Sequence, residues 1–162
     1  GGLGSDTFKY VNEIQGAGAA AGLGGKDGDV ITDFNFGTAT VNGAQVSSEK
    51  EADRLDLSML FDPAALTGLK GTPAGAHDDA ALLVNSKFMD IVQTRVSRNG
   101  FAKNDWEVWV DRDGGGNYQR LVTLQGAGDA AVALSAEHYG TKTTSQLLEQ
   151  LLLEGRLVVA HA

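Results

Sequence analysis

Cysteine is absent, so neither a disulfide nor a thiolate metal site can hold this chain together. Proline is nearly absent, with two in 162 residues. Long apolar runs are missing as well, and nothing approaches the roughly 20 residues that cross a bilayer as a helix. Lysine and arginine never gather into a cluster of the kind that grips a phosphate backbone. With a formal net charge of −8, nucleic acid is a poor partner for the chain. The opening Gly1-Gly2-Leu3-Gly4-Ser5-Asp6 has no basic end, no apolar stretch and no initiator methionine. The expectation is therefore a piece of a longer protein without an N-terminal signal peptide. Neither H-E-x-x-H nor G-x-S-x-G occurs, and His77, His138 and His161 are scattered, which argues against an enzyme.

Glycine is the abundant residue, at 22 positions. Many glycines with few prolines indicate many tight turns rather than a disordered linker. An apolar content of 42% is ordinary for a globular chain. Residues 1–9, GGLGSDTFK, fit the nonapeptide G-G-x-G-x-D-x-U-x, with Phe8 at the large apolar position. That repeat is known as a calcium-binding turn. Glycines admit the positive φ of a tight loop, the loop turns carbonyls inward, and the aspartate adds an anionic oxygen. Calcium takes six to eight such oxygens. Gly2, Gly4 and Asp6 are the candidate ligands or ligand-positioning residues of this first turn. Residues 24–32, GGKDGDVIT, fit the same frame more loosely, with Asp27 where glycine belongs and Ile31 at the apolar position. Gly25, Asp27 and Asp29 are its candidates. The two turns are expected to stack, with 16–22 looping out between them.

Further along, Val30–Phe34 and Asp53–Leu60 alternate apolar with polar residues, as half-buried strands do. Thr40–Val46 reads as a small hairpin about Asn42-Gly43. Residues 62–80 read as loop, with His77-Asp78-Asp79 a solvated turn or helix start. Phe88–Val96 fits a strand or a helix, the strand being favoured. Trp106–Asp111 and Tyr118–Leu124 form a hairpin with a glycine-rich tip. In that tip Asp111, Asp113 and Asn117 resemble the early ligand positions of a D-x-D calcium loop, but Val122 stands where an EF-hand needs its twelfth-position glutamate. Trp106 and Trp109 belong on opposite faces of their strand, which disfavours a two-ring sugar platform. The end is helical: Thr143 and Gln146 suit a capping box, Leu147, Leu148, Leu151 and Leu152 make an apolar face, and Gly155 suits the stop. Leu157, Val158 and Val159 follow as a short apolar strand.

Taken together, these segments resemble the C-terminal target domain of type I secretion substrates in RTX adhesins. The matching segments are GGLGSDTFKY as a last RTX turn and GGKDGDVITDF followed by DRLDLSMLF as a closing pattern. DWEVWVDRDGGGNYQRLVTLQG matches a late hairpin, and LLEQLLLEGRLVV a terminal leucine-rich helix with its tail. Residues 35–52 and 62–87 lie outside the resemblance. It adds Asp33, Asp53 and Asp56 as candidate ligands. It implies Ca2+ as cofactor and a secreted or cell-surface monomer with no transmembrane segment. It also implies export by an ABC transporter, a membrane-fusion protein and an outer-membrane channel, with an uncleaved signal in the leucine helix and its tail. The expected fold is all-β with a C-terminal helix: the end of a calcium-binding parallel β-roll continued into an antiparallel sheet or sandwich cap. Residues 1–61 would form the roll end and 62–162 the hairpin and signal helix, as one compact unit. The alternatives are the calcium-binding tail of an RTX protease or lipase, and a surface carbohydrate-binding module.

Overall fold

A computed structural model describes residues 4–11, 29–42, 44–127 and 143–160. Three strands make a parallel sheet in the order β1 (Thr7–Val11), β5 (Arg54–Met59), β9 (Leu157–Val158). Four make a second, mixed sheet in the order β2 (Asp29–Ile31), β8 (Gln119–Leu124), β7 (Phe101–Val110), β6 (Met89–Arg98). Here β2 runs parallel to β8, whereas β6–β7 and β7–β8 are antiparallel. A separate hairpin, β3 (Phe36–Val41) with β4 (Ala44–Ala52), turns about Asn42 as the sequence indicates.

The two nonapeptide strands do not lie side by side. β1 pairs with β5 and β2 with β8, in different sheets, so the chain crosses from one sheet to the other and back. Both sheets contribute to one core: Tyr10, Leu55, Leu57 and Leu157 from the first, Ile31, Trp106, Val108, Leu121 and Val122 from the second. Alternate residues of a strand point to opposite faces, which is why Trp106, Val108 and Val110 of β7 all face inward.

Four aromatic rings connect the sheets. Phe8 on β1 meets Phe34 at 6.2 Å between centroids, Phe34 meets Phe36 edge-on at 5.2 Å, and Phe36 meets Trp106 on β7 edge-on at 5.3 Å. Edge-to-face pairs of this kind add about 1 kcal/mol each beyond the area they bury.

The loop expected over 62–80 contains the start of a helix. Pro73–Gly75 is a 3-10 turn whose Thr72 hydroxyl accepts the Gly75 N–H, and α1 (Ala76–Asn85) follows directly. Proline at a first helical position, Asp78 and Asp79 in the first turn, and Ala80-Ala81-Leu82-Leu83 behind them all favour helix. The surrounding glycines obscure that signal in the sequence. α2 (Thr144–Leu153) forms as expected, with Thr143 and Gln146 in a complete capping box. α1 packs against α2. Leu147, Leu148 and Leu151 are buried in the shared core, each contributing about 2 kcal/mol.

β6 and β7 form a hairpin that sequence inspection passed over. Asn99 (φ 53°) and Gly100 (φ 80°) make a two-residue turn with both φ positive, the conformation an Asn-Gly pair adopts with least strain. Ten cross-strand pairs follow without a break, from Arg98 opposite Phe101 to Met89 opposite Val110.

Candidate functional site: the aspartate loops

Asp6 precedes β1 and is half-buried. Gly4, two residues earlier, has φ 102°, the left-handed backbone that the nonapeptide reserves for glycine. The Asp6 N–H donates to Asp53 Oδ1 at 2.9 Å, and its carbonyl accepts the Arg54 N–H at 2.9 Å. Ser5 Oγ donates to the Ala52 carbonyl. Ser5 and Asp6 are thus fastened to the end of β4 and the start of β5. Gly2, Gly25 and Asp27 lie outside the described residues.

Asp53 organises this region. It is 2% exposed, and its second oxygen, Oδ2, accepts the Asn35 N–H at 2.8 Å. The Asp53 N–H in turn donates to the Asn35 carbonyl at 2.7 Å. One buried carboxylate therefore joins the chain before β1, the segment after β2 and the start of β5. Burial pushes its pKa above the ordinary value; the two backbone donors pull it down, and the nearby Asp6 charge pushes it up again.

Asp29 opens β2 and is exposed. It takes a hydrogen bond from the hydroxyl of the buried Tyr10 on β1. Burial first, then the Asp29 charge, lifts that phenol far above its usual range. Asp33 lies exposed after β2. Asp56 is buried on β5, where its Oδ1 accepts both the N–H (3.0 Å) and the hydroxyl (2.5 Å) of Ser58.

The 111–117 tip converges on an anion. Asp111 is buried, and its carboxylate accepts the N–H groups of Asp113 (3.1 Å), Gly116 (3.1 Å) and Asn117 (2.8 Å). Asp113 and Asn117 are exposed on the rim. The tip is therefore closed by its own aspartate, as backbone N–H groups close around any carboxylate.

These positions can be tested for their fit to Ca2+. Among the described residues, no group of three or more His, Asp or Glu side chains is placed to hold a metal ion. Asp53 and Asp111 accept backbone N–H groups on both oxygens, and Asp56 accepts Ser58 on Oδ1. Asp6 and Asp29 belong to turns whose other residues, in 1–3 and 24–28, lie outside the described residues. The leucine-rich end behaves as core: Leu157 and Val159 are buried with Leu147, Leu148 and Leu151, while Leu152 and Val158 are half-buried.

Several other side chains hold long-range positions. Arg156, 4% exposed, donates from Nε to the Phe36 carbonyl (3.1 Å) and from Nη1 to the Glu154 carbonyl (2.8 Å), joining the end of α2 to β3. Asp79 accepts the N–H groups of Lys70 (2.8 Å) and Gly71 (2.9 Å), and Lys70 also pairs with Asp78. His77 faces Glu149 of α2 at 3.1 Å, which raises its pKa. Trp106 is core, whereas Trp109 is half-buried on the opposite face, its indole N–H on Glu107 Oε1 (3.3 Å) and Arg120 on Oε2 (3.0 Å).

Asp105 is paired more tightly than any candidate ligand. Arg98 donates to both of its oxygens at 2.6 Å, and the Gly126 N–H donates to Oδ1 at 2.8 Å. The Arg98 hydrogen bonds hold the carboxyl below its ordinary pKa. A depressed carboxyl contributes stability above its unfolded pKa and loses it as pH falls through the folded value. Asp105→Asn is expected to cost about 1.5 kcal/mol at neutral pH and to flatten the acid limb below about pH 4. Urea unfolding across that pH range measures both.

Comparison with known proteins gives no match to a family model, a curated protein or a solved structure. Among the described residues, no helix is long and apolar enough to cross a membrane.

Proposed function

We propose that this chain is the C-terminal, non-enzymatic domain of a secreted RTX adhesin. It carries an uncleaved type I secretion signal in its terminal helix and strand, folds on calcium binding after export, and caps the repeat stack. The observation that carries this is the nonapeptide at 1–9, whose described half has a left-handed Gly4 feeding a strand into a parallel sheet. The alternation of β1, β2 and β5 between two sheets is also what a coiled parallel strand arrangement requires. Asp6 and Asp29, together with the turns around Gly2, Gly25 and Asp27, would hold the ion.

Extracellular calcium modules bind with Kd of roughly 10⁻⁴ to 10⁻³ M, so cytosolic calcium leaves them empty. The acidic loops then repel one another, and an unfolded chain can be threaded through the ABC transporter and the outer-membrane channel. The leucines that form the core of the folded domain are accessible to the exporter in that state. Outside the cell, a site at ten times its Kd adds about 1.4 kcal/mol. The expected result is a thermal midpoint several degrees higher in calcium than in chelator, followed by circular dichroism, with the gain reduced in Asp6→Asn and Asp29→Asn. Deleting 143–162 is expected to abolish export from a host carrying the transporter. Equal midpoints in calcium and chelator would remove the calcium switch, and export of the truncated chain would remove the signal.

A further inference from the structure

We propose that the distal half of the β6–β7 hairpin is a docking surface for anionic lipid headgroups. The hairpin outruns the core. Near its base Ile91, Trp106 and Val108 are buried, but towards the turn Arg95, Ser97, Phe101, Ala102 and Lys103 are all exposed. Phe101 is 68% exposed, beside the turn. Residues 91–104 carry Arg95, Arg98 and Lys103 and no acidic residue, in a chain with a net charge of −8. The fold collects on one projection the cations that the sequence spreads out.

The register decides how they are presented. Phe101 lies opposite Arg98 and Lys103 opposite Val96, so these four share one face, while Arg95 points to the other. Arg98 is drawn back onto Asp105, which leaves Arg95 and Lys103 as the cations at the periphery. The distal five pairs extend about 15 Å at the usual rise per residue. The screening length at physiological ionic strength is about 8 Å, so the acidic body is largely screened at the tip.

A basic edge strand by itself is a common guard against sheet-to-sheet aggregation. That accounts for Arg95 and Arg98 on β6 but not for an exposed phenylalanine. A two-stranded tip with an exposed aromatic ring beside the turn and a cation on each face suits a soft anionic interface: the ring seats at headgroup depth and the cations meet phosphate. Each cation near such a surface strengthens partitioning about fivefold. This surface is separate from the aspartate loops and requires only that the domain be folded.

The experiment is flotation of the full chain with vesicles of phosphatidylcholine alone or mixed with phosphatidylglycerol, in chelator and in calcium, at low and physiological salt. Binding is expected only to the mixed vesicles, in calcium and in chelator wherever circular dichroism shows the chain folded, and weaker as salt rises. Arg95→Glu with Lys103→Glu is expected to weaken it at least 25-fold, and Phe101→Ala about tenfold, with thermal midpoints unchanged because these side chains touch no core. The proposal is overturned by no binding, by equal binding to neutral vesicles, or by full binding of either variant. Binding confined to calcium while the chain is folded in chelator, which would signify ion bridging, overturns it too. So does self-association in sedimentation velocity that the double variant abolishes, since the cations would then serve a second copy.

Discussion

Trp106→Ala is expected to destabilise the fold by about 3–5 kcal/mol, as large-to-small changes at fully buried aromatic sites do. Trp106 is 1% exposed and forms the β7 end of the ring series that reaches β1 through Phe36, Phe34 and Phe8. Its removal opens a void between the two sheets that the surrounding strands cannot close, because β7 is held in register by β6 on one side and β8 on the other. Trp106→Phe keeps the edge contact with Phe36 and is expected to cost about half as much. The measurement is urea unfolding. The midpoint should fall sharply with the slope unchanged, because a smaller core side chain hardly alters the surface exposed on unfolding. A loss below 1 kcal/mol would mean that the sheets do not depend on this contact.

Asp53→Ala is the second large effect, at about 3 kcal/mol. The substitution leaves the Asp6 and Asn35 N–H groups without their acceptor, and each such group costs about 1–3 kcal/mol. Asp53→Asn retains one acceptor oxygen and is expected to fall between alanine and wild type. The pH dependence separates the two contributions of this carboxyl. Its folded pKa lies above the unfolded one, mainly through burial, so ionisation opposes folding. The stability linked to its protonation is present below the unfolded pKa and is lost as pH rises through the folded value. Asparagine cannot ionise, so the gap between Asp53→Asn and wild type should narrow as pH climbs out of the acid range. Asp105 behaves in the opposite sense. If both variants shifted the acid limb alike, the burial of Asp53 would be misjudged.

Strand positions were legible wherever short-range chemistry decides them. Alternation marked β5, aromatic and β-branched residues marked β7 and β8, and the capping box marked the start of α2. The Asn-Gly pair at 99–100 carried an equally good turn signal, but the polar residues on either side of it hid how far the two flanking strands extend and that they pair. α1 was obscured by the glycines around it, although Thr72, Pro73 and the two aspartates formed a start signal. Partners were not legible. Nothing local in the sequence says that Asp53 meets Asp6 and Asn35, that Arg156 reaches Phe36, or that β1 and β2 belong to different sheets, because those contacts are fixed only when distant segments pack. For the same reason the aspartates looked alike in sequence. The fold gives Asp53 and Asp111 backbone N–H donors, Asp56 the Ser58 N–H and hydroxyl, and Asp29 the Tyr10 hydroxyl.

The central strand of the parallel sheet, β5, lies between β1 near the start of the chain and β9 near its end, with Leu55 opposite Leu157. No neighbour of that strand is local, so nearly the whole polypeptide must be looped out before the sheet closes. The entropy of that closure has to be met before the pairing returns any enthalpy, which places the domain among the slow folders of high contact order. It also fixes an order of events. A chain emerging from the ribosome cannot complete this sheet until Leu157 and Val158 are free, and until then β5 has an open edge.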